Sequence, residues 1–183
     1  AIGRDCLDAN TTGTGNVAIG VAALGTNTTT NYNTAVGLDV LQNNTGDDNT
    51  AVGRNALNAN TTGTKNVAIG AMAFDANTVG GESVAIGYAA LGASNRNDAN
   101  TRAVAIGAYA LSSNTTSMEN VAVGWYALSS TTTGEQNTAV GRRALVTNVT
   151  GSYCTALGFN ALENNTVSNN TAVGYQALRA NTT

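Results

Sequence analysis

The sequence predicts an all-β chain, a parallel β-solenoid (β-roll) of about eleven coils with a 17-residue period. Three observations predict it. A tripeptide of Ala, then Val, Ile or Leu, then Gly recurs from end to end. Charged residues avoid that tripeptide and the Ala-Leu pair that follows it, which separates inward positions from a solvated set. Asn, Thr and Gly supply much of the remainder, with 21 Gly and no Pro in 183 residues, a composition poor for helices.

The tripeptide glycines are Gly3, Gly20, Gly37, Gly53, Gly70, Gly87, Gly107, Gly124, Gly141, Gly158 and Gly174. Successive differences are 17, 17, 16, 17, 17, 20, 17, 17, 17 and 16, and the long unit carries an insertion around Asn95–Arg102. Counting each Gly as position 0, position 3 is Ala in nine units, with Cys6 and Val40 as the exceptions. Position 4 gives the expected core ladder: Leu7, Leu24, Leu41, Leu57, Phe74, Leu91, Leu111, Leu128, Leu145, Leu162 and Leu178. Position 7 is usually Asn.

A 17-residue unit is too short for two helices and a turn, since the common helical repeats run from about 33 residues upward. Asn-Thr-Ala-Val alternates as a strand does, with Thr and Val on one face and Asn and Ala on the other. The Ala-Leu pair reads as a second short strand, and Asn-Thr-Thr-Gly as a turn in which Asn and Gly accept positive φ. One unit is then one coil of two strands, burying a Val or Ile and a Leu. Eleven coils at roughly 4.8 Å span roughly 50 Å. Asparagines at a fixed position stack into a ladder of side-chain amides along the axis.

The composition excludes whole classes of function. Only 10% of residues are charged, against roughly 25% in ordinary soluble domains. The net charge is −3, and the eight Lys and Arg are scattered, so nothing displaces phosphate counterions and no nucleic-acid partner is expected. No run approaches the roughly 18 apolar residues of a membrane helix, so no membrane insertion is expected. The absence of His removes catalytic triads, His-based metal sites and imidazole acid–base chemistry. No P-loop and no aspartate-bearing calcium nonapeptide is present. The expectation is a non-enzyme with no catalytic, cofactor-binding or metal-binding residues. Cys6 replaces an inner Ala and Cys154 a ladder Asn. Their coils lie roughly 40 Å apart, too far for a disulfide within the chain.

Two candidate surfaces remain. Sequons begin at Asn10, Asn27, Asn43, Asn60, Asn114, Asn148, Asn164, Asn169 and Asn181, and most fall in the same turn, where glycans would form a line. Tyr88, Trp125, Phe159 and Tyr175 directly follow their glycines, with Tyr109 and Tyr126 one step on. That contact stripe suits sugar rings or another chain. Rows of Thr, such as Thr28–Thr29 and Thr61–Thr62, raise ice binding as an alternative, although they fall in the turn rather than on a strand.

The string Asn-Val-Ala-Ile-Gly at 16–20 and 66–70 resembles the Asn-Ser-Val-Ala-Ile-Gly head repeat of YadA-type trimeric autotransporter adhesins. Asn-Thr-Ala-Val-Gly-Tyr-Gln-Ala-Leu at 170–178 is similar to repeats of phage tail fibres and of bacterial surface proteins that end in a self-cleaving chaperone domain. The likeness covers essentially the whole chain. It implies a left-handed β-roll, often a homotrimer, on an extracellular fibre at a cell surface or virion. The period here is longer than in the adhesin heads, through a larger Asn-Thr-Thr-Gly turn. Residues 1–183 then form one repeat array with no polar cap at either end, a segment of a longer fibre or a stacked filament subunit. The expected partners are other copies of the chain, as a homotrimer or an end-to-end filament, together with glycans or a host surface. A self-assembling filament carrying glycans on its turns is the alternative structural reading.

Overall fold

The computed structural model describes residues 1–93 and 102–182. The insertion expected around Asn95–Arg102 lies outside the described residues as far as residue 101. The β-branched residues set the regular structure. Each Val-Ala-Ile, Thr-Ala-Val or similar triplet forms a three-residue strand, from β1 (Val17–Ile19) and β2 (Thr34–Val36) to β10 (Thr171–Val173). The ten strands pair in parallel, in chain order, in a single sheet. Equivalent positions face one another, as in Val17↔Thr34, Ala18↔Ala35 and Ile19↔Val36. The first tripeptide contributes only an isolated bridge, Ile2↔Ile19. Ten tripeptides therefore form strands, and about nine turns of solenoid link them, fewer than the eleven coils counted from the glycines. No helix is present among the described residues.

The strand alternates as expected, but the inward face is the opposite one. Ala18, Ala35, Ala51, Ala68 and their successors are buried, while the flanking Val, Ile and Thr face outward and are partly exposed. Ile19, Ile69 and Leu157 are 40%, 40% and 47% exposed. The reason is the width of the coil. Position 4 sends a Leu or Phe into the middle, and an interior packed to crystal-like density leaves only methyl-sized space opposite it. The second buried Ala row, at position 3, fills the same cross-section (Ala23, Ala56, Ala73, Ala90). Leu24, Leu41, Leu57, Phe74, Leu91, Leu111, Leu128, Leu145 and Leu162 are fully buried. Leu7 is half-buried and Leu178 exposed, both in the outermost coils.

The Ala-Leu pair is not a second strand. Position 4 is left-handed throughout, with φ of 51° at Leu24, 53° at Phe74 and 51° at Leu128. Position 2 is left-handed as well, as at Asp39 (53°), Met72 (57°) and Tyr126 (57°). This geometry turns the chain while keeping its hydrogen bonds along the axis. Leu128 N–H donates to Ala144 O in the next coil at 3.0 Å, and Tyr126 N–H to Ala108 O in the preceding one at 3.1 Å. Each coil therefore has one strand, and the rest of its circuit is turn.

A third left-handed column lies in the Asn-Thr-Thr-Gly turn. It falls on neither the Asn nor the Gly but two residues later, at Asp48 (60°), Lys65 (58°), Glu82 (56°) and Gln136 (55°). The turn glycine serves a different need. A Cβ at Gly63 would sit 3.0 Å from Asn77 Nδ2, inside the asparagine ladder described below. The tripeptide glycine is required on both counts. Gly87 has φ +130°, and a Cβ there would lie 2.7 Å from the carbonyl carbon of Gly107.

Candidate functional site

Two columns of amides run through the interior beside the turn. In the first, at position 7, Nδ2 of Asn27, Asn60 and Asn77 donates to Oδ1 of the asparagine one coil earlier, at 3.2, 2.6 and 2.8 Å. The second stands just before the strand, in the column where Cys154 takes the place of an Asn. There Asn49 Oδ1 accepts the backbone N–H of Asn66, and Asn66 Oδ1 that of Ser83. Their amide groups reach the turn carbonyls of Gly63 and Gly80 at 2.9 and 2.8 Å. Its signal was present in the sequence, as an Asn preceding the strand in most units.

The ladders decide which sequons remain accessible. Asn27, Asn60, Asn114 and Asn148 are fully buried. A sugar on any of these amides is incompatible with the folded coil, because their nitrogens are engaged inside it. Asn10 and Asn181 belong to the outermost coils, where Asn10 Nδ2 donates to Gly13 O and Asn181 Nδ2 to Asn165 Oδ1. Asn43, Asn164 and Asn169 point outward and are exposed. Of the paired threonines, Thr11 and Thr61 donate their hydroxyls along the axis to Thr28 O and Thr78 O; Thr61 is half-buried, and Thr11, Thr12, Thr28, Thr29 and Thr62 are exposed.

Cys154 interrupts the second ladder. Asn165 Nδ2 turns to its sulfur at 3.6 Å and to Val167 O at 2.7 Å, rather than to the preceding asparagine. Asn148 Oδ1 is left buried without a partner. Both Cys6 and Cys154 are buried free thiols.

The aromatic residues come together on one side of the coils. Tyr88 meets Tyr109 edge-on at 5.3 Å, Tyr109 stacks on Tyr126 at 4.7 Å, and Trp125 packs edge-on against Tyr126 at 4.4 Å. Arg142 lies over Trp125 at 4.7 Å and over Phe159 at 5.1 Å, and Phe159 stacks on Tyr175 at 5.4 Å. The Tyr109 phenol is held above its ordinary pKa, first by desolvation and then by its neighbours Tyr88 and Tyr126. Beside the rings is a recess of about 230 Å³ lined by Trp125, Tyr126, Arg143 and Val146. Arg143 is fixed there by the buried carboxylate of Glu163 at 2.9 Å, which also holds Arg179 at 2.5 Å and accepts from Asn160 Nδ2 at 2.9 Å.

One carboxylate elsewhere gives a pH test of the fold. Burial pushes the Asp75 carboxyl above the usual aspartate range, against the opposing pull of the Asp75 and Ala76 backbone N–H groups. The folded chain then holds this proton to higher pH than the unfolded chain, so stability falls as pH rises from the unfolded to the folded value and stays lower above it. Asp75→Asn should melt higher than the parent at pH 7. The two should melt together below about pH 3, under the ordinary aspartate value. Equal melting at neutral pH would show that Asp75 carries no penalty.

Among the described residues, no group of three or more His, Cys, Asp or Glu is placed to hold a metal ion, and no helix is long and apolar enough to cross a membrane. Comparison with protein-family models, curated proteins and solved structures returned no match.

Proposed function

We propose that the chain is a non-enzymatic shaft segment of an extracellular fibre, adhesin-like or tail-fibre-like, on a cell surface or virion. Its copies associate side by side as a homotrimer. The observation that carries this reading is the outward sheet face. Ile19, Val36, Val52, Ile69, Ile86 and their successors form one aliphatic column in strict register along all ten strands. A second column of Val and Thr runs beside it, and neither column contains a charge. The strip extends for about 43 Å at the usual strand spacing. An uncharged apolar strip of that length is what a soluble monomer ordinarily hides. Copies with identical axial spacing match one another over its whole length, which lets a weak contact per coil add up. The left-handed winding implied by the adhesin resemblance belongs to the same reading.

Native mass spectrometry tests it. A species near three times 18.4 kDa supports the trimer. Ile69→Lys combined with Ile106→Lys should then give a monomer with unchanged β-rich circular dichroism. A parent chain that stays monomeric at high concentration overturns the side-by-side association. The second reading, a filament coated with glycan, is favoured by the outward sequons Asn43, Asn164 and Asn169. It predicts a large, heterogeneous mass excess on material from the natural source.

A further inference from the structure

We infer that the aromatic band of the later coils is a binding site for a glycan chain of β-linked pyranose rings. The inference is independent of the fibre reading and rests on different residues. The band runs over positions 1 and 2 of six successive units, those of Gly87 to Gly174, with rings in five of them and Arg142 bridging Trp125 and Phe159 in the sixth. In the five earlier units those positions hold Arg4 and Asp5, Val21 and Ala22, Leu38 and Asp39, Arg54 and Asn55, and Ala71 and Met72. Those coils fold with the same strand pairing and the same left-handed turns, so the solenoid does not need rings there. A requirement of folding, or of packing repeated along the whole shaft, would place aromatics in every coil.

The geometry suits a sugar. Trp125 and Tyr88 are 44% and 45% exposed, yet edge-to-face contacts with neighbouring rings hold them in place. Rigid, half-exposed rings form a platform that loses little entropy on binding. The axial C–H bonds of a β-linked pyranose give it an apolar face that packs on such a ring, with hydroxyls left at its rim. Arg143, anchored by Glu163, supplies hydrogen-bond donors at the edge of the recess. At about 230 Å³ the recess lies below the size of a pocket that encloses a drug-sized ligand. It has room for one ring of a chain that continues over the neighbouring coils. Those coils advance by roughly 4.8 Å, close to the length of one ring in an extended β-linked glycan. A second copy of this chain is a poor occupant, because band against band brings Arg142 and Arg143 of each copy face to face.

Trp125 is the single tryptophan, so its emission reports on this site alone. The parent chain is titrated with cellohexaose and with chitohexaose, with maltohexaose as the α-linked control and a thymidine oligonucleotide as the competing aromatic ligand. The expected result is a saturable emission shift with at least one β-linked hexasaccharide. By calorimetry, Arg142→Ala and Tyr126→Ala should each weaken that binding at least tenfold. Leu38→Ala, at position 1 of a coil without rings, should leave it unchanged, and all variants should keep the parent circular dichroism. The inference is overturned if neither β-linked sugar gives a saturable shift, or if the oligonucleotide or maltohexaose binds as well. It also fails if the emission moves with protein concentration alone, which would mean that a second copy covers the rings.

Discussion

Replacing Leu128 by its isomer Ile should destabilise the chain by about 2–4 kcal/mol, whereas Leu128→Met should cost less than about 1.5 kcal/mol. Leu128 is fully buried with φ 51°. Volume and hydrophobicity barely change in either exchange, so packing alone predicts two mild variants. The backbone separates them. At positive φ a side chain branched at Cβ collides with its own carbonyls, a conformation that β-branched residues almost never adopt. Every left-handed non-glycine residue described in this chain obeys that restriction: none is Val, Ile or Thr. The same chain is rich in those three residues on its strands. In a thermal melt the Ile variant should lose roughly 5–15 °C and the Met variant only a few degrees. If the two variants melt together, the left-handed column is not what selects leucine.

That exclusion is visible in the sequence, at position 4 of every unit. A position that is Leu, or once Phe, and never Val or Ile reads naturally as a core ladder, and the residues are inside in all but the outermost coils. The absence of β-branching was the further clue that position 4 is not extended, and it separates a turn from the second strand expected there. Period, strand position and parallel pairing were legible because they depend on spacing, which one chain of many units displays clearly. Which strand face is inward was not legible. Alternation fixes two faces without saying which is inside, and hydrophobicity favours Val over Ala. The coil is decided by volume: with Leu or Phe filling the centre, only Ala68 and its equivalents fit behind the strand. The sequons are ambiguous for a related reason. Asn-x-Thr describes an exposed turn in one context and, at Asn60 or Asn148, a buried amide whose nitrogen is already engaged. The aromatic residues were found by counting from the glycines, but their restriction to the later coils mattered more than their stripe.

Removing one amide from the inner ladder should cost as much as the leucine exchange. Asn66 is fully buried and makes three ladder contacts: its N–H donates to Asn49 Oδ1 at 3.0 Å, its Nδ2 to Gly80 O at 2.8 Å, and its Oδ1 accepts from Ser83 N–H at 3.1 Å. Asn66→Leu keeps the volume but orphans the Ser83 N–H, a buried donor. The expected loss is about 2–4 kcal/mol, the unsatisfied group plus the missing amide bond. Asn66→Asp separates polarity from donor capacity. The new carboxyl still accepts from Ser83, but it faces the Gly80 carbonyl and must keep its proton to donate there. Its folded pKa is therefore raised, and the variant should gain stability as the pH falls toward the ordinary aspartate value. The reverse change completes the case. Cys154→Asn restores an amide to the interrupted ladder, where Cys154 Sγ now reaches Val167 O at 3.3 Å. It also releases Asn165 Nδ2 toward the unpartnered Asn148 Oδ1. A gain of about 1 kcal/mol is expected, read as a higher melting midpoint. A ladder that merely accompanies the fold would leave Asn66→Leu and Cys154→Asn both near the parent. Opposite shifts from the two would establish that the buried amides, as well as the leucines, hold one coil to the next.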